Sequence, residues 1–183
     1  MLNIIAGSLS TGAPPVSPNS YESIATVTVG GGGSSAIDFI SIPATYTHLQ
    51  IRLIAQKLTS STNGLMRFNS DATGTNYYVH GIEAGGSTAD GYATNDFPRA
   101  VANVPTTANV FAVSIVDVLD YANTNKYKTI RTLNGFEAGG SGIITYASGL
   151  WKNINAITDI RIYPTSGNFA QYSQFALYGI KGS

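Results

Sequence analysis

The segment His48–Leu58 (HLQIRLIAQKL) limits the fold more than any other stretch of this sequence. Leu49, Ile51, Leu53 and Ala55 fall on one side of a period-two pattern, and Gln50, Arg52 and Gln56 on the other. A strand places alternate side chains on opposite faces, whereas a helix would need a period of 3.6. The same alternation recurs in Glu22–Gly30, with Ala25, Val27 and Val29 opposite Thr26 and Thr28. Further short strings of this kind are Ser35–Ser41, Leu65–Asn69, Tyr77–Ile82, Lys126–Phe136, Ile143–Trp151, Ala156–Tyr163 and Phe169–Lys181, separated by Gly, Asn and Ser turns. No segment carries an amphipathic helix with caps. Eight to ten short strands in series predict an all-β chain, an antiparallel β-sandwich of jelly-roll-like form.

Two stretches break the rhythm. Val110–Leu119 (VFAVSIVDVL) is apolar on both faces apart from Ser114 and Asp117, which predicts a central strand covered on both sides or one carrying a bulge. Residues 83–108 are weakly patterned and read as a long loop with at most one short strand. Gly30–Gly33 reads as a hairpin loop, because no helix start follows it to make a phosphate cradle. The strings GIEAGG (Gly81–Gly86) and GFEAGG (Gly135–Gly140) predict two similar hairpin corners at one end of the sandwich.

Residues 1–20 read as an extended N-terminal arm, with Pro14, Pro15 and Pro18 disfavouring both helix and central strand. Its apolar head, Leu2, Ile4 and Ile5, gives the arm something to bury against a neighbour, so these residues are the expected attachment points. Residues 21–183 then form a single domain, in the usual size range. The N-terminus has no basic start and only a short apolar run, which predicts synthesis in a cytoplasm without a signal peptide.

Composition narrows the functional classes. Cysteine is absent, so a disulfide scaffold and a thiolate metal site are impossible. Ten basic and ten acidic residues balance, and a pI near 6.7 argues against a binder of nucleic-acid phosphates. No apolar run reaches membrane-spanning length. Neither a catalytic constellation nor a cofactor or metal motif is expected. His48 and His80 read as structural or surface histidines, and Ser141 lacks the flanks of a nucleophile elbow. Asp71, Thr73 and Asn76 read as a turn capped by Asp71 rather than a calcium loop. Glu83 and Glu137 would make a carboxylate pair for glycoside hydrolysis only if the two corners brought them face to face. Sugar binding is easier to build than sugar cleavage. Tyr77, Tyr92 and Trp151 are the aromatic candidates for contact with a glycan.

Several longer strings bear on the class of protein. Asp120–Thr129 reads DYANTNKYKT, Ser148–Asn153 reads SGLWKN, and Asn168–Lys181 reads NFAQYSQFALYGIK. With Ser41–Leu49 (SIPATYTHL), Arg67-Phe68-Asn69, Asn76-Tyr77 and Ala156–Thr158, they resemble a family of tailed-bacteriophage virion proteins, over about residues 21–181. The resemblance implies a tail-fibre-like or particle-surface β-sandwich, non-enzymatic and present in symmetry-related copies, with a homotrimer favoured. Its implied partners are other virion proteins, with a host-surface glycan as a further contact. Capsid decoration and a free-standing carbohydrate-binding module are the alternatives.

Overall fold

The structure, a computed structural model, describes residues 20–60 and 62–182. Most of the arm, with Leu2, Ile4 and Ile5, lies outside the described residues.

The described chain is all-β, an antiparallel sandwich of twelve strands: β1 (Tyr21–Thr28), β2 (Ile37–Phe39), β3 (His48–Ala55), β4 (Thr62–Phe68), β5 (Tyr77–Gly85), β6 (Thr88–Thr94), β7 (Arg99–Val104), β8 (Ala112–Leu119), β9 (Lys128–Phe136), β10 (Ile143–Trp151), β11 (Ile160–Pro164) and β12 (Gln174–Ile180). They form an eight-stranded sheet in the order β1-β12-β3-β8-β9-β10-β5-β6 and a four-stranded sheet in the order β2-β11-β4-β7.

Twelve strands exceed the eight to ten expected, chiefly because residues 83–108 are not a long loop. They hold the end of β5 and all of β6 and β7. The four-glycine segment is not a hairpin loop either, since β1 and β2 lie in different sheets and the chain crosses between layers there. The GIEAGG and GFEAGG corners do lie side by side, because Ile143 is in register with both Phe136 and Gly85.

The core lies between the sheets. From the large sheet come Leu49, Ile51, Leu53, Val116, Val118, Ile130, Phe175 and Leu177; from the small one Ile37, Phe39, Met66, Phe68, Ile160 and Ile162. These are the inward members of each alternation, so burial of apolar area and strand period agree. At two places a ring covers a strand glycine. A Cβ on Gly179 would lie 2.3 Å from the Tyr46 ring, and one on Gly81 would lie 2.5 Å from that of Tyr92. Both glycines are therefore fixed by side chains packed flat on the backbone.

The segments Ser41–Leu49 and Asp120–Thr129 meet in space. Tyr121, fully buried in the β8–β9 turn, donates its hydroxyl to the Pro43 carbonyl and accepts from the Tyr46 N–H at 3.4 Å. Asp120 N–H donates to His48 Nδ1 at 3.0 Å. This junction pins the loop before β3 to the turn after β8.

Candidate functional site: the outer face of the large sheet

The aromatic candidates do not gather on the surface. Trp151 is 1% exposed and Tyr77 is 0% exposed. They sit opposite each other at the ends of β10 and β5, with ring centroids 6.3 Å apart, and Trp151 packs on Phe68 at 5.5 Å. Neither offers a ring face to a sugar, which removes both as glycan contacts. Tyr92 lies on β6, half-buried, its ring under the Arg99 guanidinium at 4.5 Å and its hydroxyl buried without a partner.

The polar candidates are each engaged in holding local structure. Glu83 faces the interior and accepts from Arg99 at 2.9 Å. Glu137 instead caps its own turn, accepting from the Ala138 and Gly140 N–H groups. The corners are neighbours, yet their carboxylates serve separate partners. Among the described residues, no group of three or more His, Asp or Glu side chains is arranged to hold a metal ion.

Asp71 closes its loop as the sequence suggests, through the Thr73 N–H and the Asn76 amide, and also accepts Trp151 Nε1–H at 2.8 Å. Burial pushes its carboxyl pKa up, but the bonds from Trp151, Asn76 and Thr73 outweigh this and hold it below the ordinary value. A carboxylate pKa depressed by folding contributes stability that is present above about pH 4 and lost as pH falls through the folded value. Thermal unfolding followed from about pH 5 to pH 2 is therefore expected to show a falling Tm, with a shallower fall for Asp71→Asn. Glu22 and Asp120, held low by Lys181 and Lys126, account for the part that remains. Identical acid profiles for the two proteins would count against this role of Asp71.

The two outer faces differ sharply. The small sheet presents charged and amphipathic groups: Arg161 pairs with Asp38 at 3.4 Å, and Arg67 lies over the Tyr163 ring. The large sheet presents a patterned apolar surface. Its strand registers place Ile54, Val113, Gly135, Ile144, Ala84 and Ala89 in one row across β3, β8, β9, β10, β5 and β6. The next row is Arg52, Ile115, Leu133, Tyr146, Ile82 and Gly91, and a polar row follows with Gln50, Asp117, Arg131, Ser148, His80 and Ala93.

This face corrects the reading of β8. The strand is central, but only Ala112, Ser114, Val116 and Val118 are covered on the inner side, while Val113 is 55% exposed. Its second apolar face is open among the described residues. Around it lies a groove of about 500 Å³, lined by Val113, Ile115, Leu133, Gly135, Phe136 and Ile144. Gly135 makes the floor, and a Cβ there would lie 2.5 Å from the Ile143 carbonyl oxygen.

Toward β1 the face turns polar. Tyr21 donates to Gln50 Oε1 at 2.8 Å, Arg52 donates to the same oxygen at 3.1 Å, and Gln50 donates to Asp117 at 2.8 Å. Tyr21 stacks on Tyr178 with centroids 4.7 Å apart. The face thus has an apolar centre and a hydrogen-bonded margin. No family model, curated protein or solved structure matches this chain.

Proposed function

We propose that this protein is a non-enzymatic structural component of a bacteriophage particle, a β-sandwich mounted on the virion through residues 1–20 and acting by contact. The observation that carries this reading is the outer face of the large sheet, where apolar side chains stand in register across β8, β9, β10 and β5. A large exposed apolar patch costs solubility unless something covers it. The half-buried Glu83 and Arg99 are neutralised by each other, and the Asp71 carboxylate is saturated by its loop and Trp151. The sequence resemblance supplies the setting, a tail-fibre-type appendage or, as the alternative, a capsid decoration protein.

The test is mass spectrometry of purified virions from the strain that encodes the chain, with complementation by a form lacking residues 1–19. Ser20 is kept because its carbonyl accepts from the Lys181 N–H. The full chain is expected in many copies per particle. The truncated form is expected to fold, with an unchanged β-sheet circular dichroism spectrum, and to be absent from particles. Virions without the full chain overturn the reading, and full incorporation of the truncated form overturns attachment through the arm.

A further inference from the structure

We propose that the apolar outer face of the large sheet is a self-association surface, and that two copies of this chain pack face to face about a twofold axis running along the seam between β9 and β10. The inference rests on the face's geometry and not on the particle reading. Virions lacking the chain would leave it standing, and a monomeric chain would leave the particle reading standing.

Size comes first. Ile54, Ile82, Val113, Ile115, Leu133, Ile144 and Tyr146 are each 39–61% exposed. Together they present on the order of 600 Å² on one face, the upper end of the largest apolar patch on an ordinary monomer. With the polar row added, the face reaches the ~800 Å² per partner of a standard interface. Two aligned sheets packing face to face sit about 10 Å apart with strand directions within about 30° of each other.

Charge selects the occupant. The two apolar rows contain one charged side chain, Arg52, at their β3 margin. A polyanion or an acidic surface would need basic residues among them. A second copy meets this face without like-charge repulsion at its centre.

Shape then selects the axis. A twofold axis along the strands keeps each row over its own counterpart, whereas an in-plane axis across the strands would lay each strand on itself and keep Ile144 of β10 away from Gly135 of β9. With the axis at the β9–β10 seam, β9 lies over β10 of the second copy, β8 over β5, and β3 over β6. Large side chains then meet small ones: Ile144 enters the hole over Gly135, Val113 lies over Ala84, and Ile54 over Ala89. In the next row Ile115 meets Ile82, and Leu133 meets Tyr146. In the polar row Asp117 comes over His80 and Arg131 over Ser148, so the acidic group gains a donor. Each contact occurs twice, as an isologous interface requires. Gly135 cannot fill its hole with a side chain of its own, because the Ile143 carbonyl lies too close to a Cβ.

Sedimentation velocity on the full chain at tens of micromolar is expected to give twice the 19.2 kDa chain mass. Ile144→Lys places a charge in the Gly135 hole and is expected to weaken the dimer at least about a hundredfold, giving monomer. Ile144 is 56% exposed in the single chain, so the variant is expected to keep its β-sheet circular dichroism and Tm. Should it unfold, Ile82→Lys, at a position 61% exposed, serves the same purpose. Thr26→Lys lies on the same face in β1, which overhangs the seam, and is expected to leave the dimer intact. A monomeric wild type overturns the proposal. So does a trimer, the state implied by the family resemblance, and so does an oligomer that withstands Ile144→Lys or that Thr26→Lys dissociates equally.

Discussion

Replacing Trp151 by alanine is expected to destabilise the fold by about 4–5 kcal/mol, near the upper end for removal of a buried aromatic. Two losses combine. The indole fills the space between Phe68 and Tyr77 at the end of the core, so its removal leaves a cavity lined by rings. The Asp71 carboxylate also loses the 2.8 Å bond from Nε1–H, and its loop is then held by Thr73 and Asn76 alone. A hydrogen bond to a charged group contributes about 1.5–3 kcal/mol, so the second loss is comparable to the first. Trp151→Phe separates them: it keeps most of the volume, loses the bond, and is expected to cost about half as much. Chemical denaturation followed by circular dichroism measures both. An indole acting as a glycan platform on the surface would behave oppositely, with a stability change within about 0.5 kcal/mol and a loss of sugar binding. A change that small for Trp151→Ala would sink the assignment of Trp151 to the core.

Trp151 also illustrates what the sequence could tell and what it could not. Its strand was legible, because the short string Ile143–Trp151 lies between turn residues and begins and ends where the structure places β10. Its burial was not, because a residue at the end of a strand is covered only by what the rest of the chain brings over it. Here that is Tyr77 and Phe68, distant in sequence.

The missed strand β6 fails for a different reason. Its sequence TADGYAT offers no apolar alternation, since its outward row is Ala89, Gly91 and Ala93. It is held by pairing with β5 from Gly85–Thr88 back to Val79–Thr94, a hairpin ladder of backbone hydrogen bonds that leaves no hydrophobic signature. In β8 the sequence signal was real and its interpretation incomplete. Apolar residues on both faces did mark a central strand, but one face is covered by the small sheet and the other opens outward. The outer face as a whole became visible only once the registers placed Val113, Leu133, Ile144 and Ile82 beside one another. No local window of the sequence contains that juxtaposition.

Lys128 is the clearest residue that a sequence reading passes over, although a signal was present: it is in phase with the inward positions Ile130, Thr132 and Asn134 of β9. It is 0% exposed, and its Nζ donates to the carbonyl oxygens of Asn123, Lys126 and Ile154, the last at 2.9 Å. Burial pushes its pKa down, and the three carbonyl dipoles are what the ammonium receives in place of water. One side chain thus ties the β8–β9 turn to the segment that leads from β10 into β11. Lys128→Met keeps the length and the apolar stem but removes every donor, leaving three carbonyls to find other partners. The expected cost is about 3 kcal/mol, the sum of several lost bonds reduced by the ammonium desolvation that the variant no longer bears. The loss should also appear locally, as faster amide exchange at Ile157, whose N–H donates to Tyr121 in the adjoining loop at 2.9 Å. Exchange where β1 pairs with β12 at the edge of the sheet should change only by the global loss. A variant within about 1 kcal/mol of wild type, with Ile157 exchange unchanged, would mean that the carbonyls are satisfied without the ammonium and that Lys128 is not the tie between these loops.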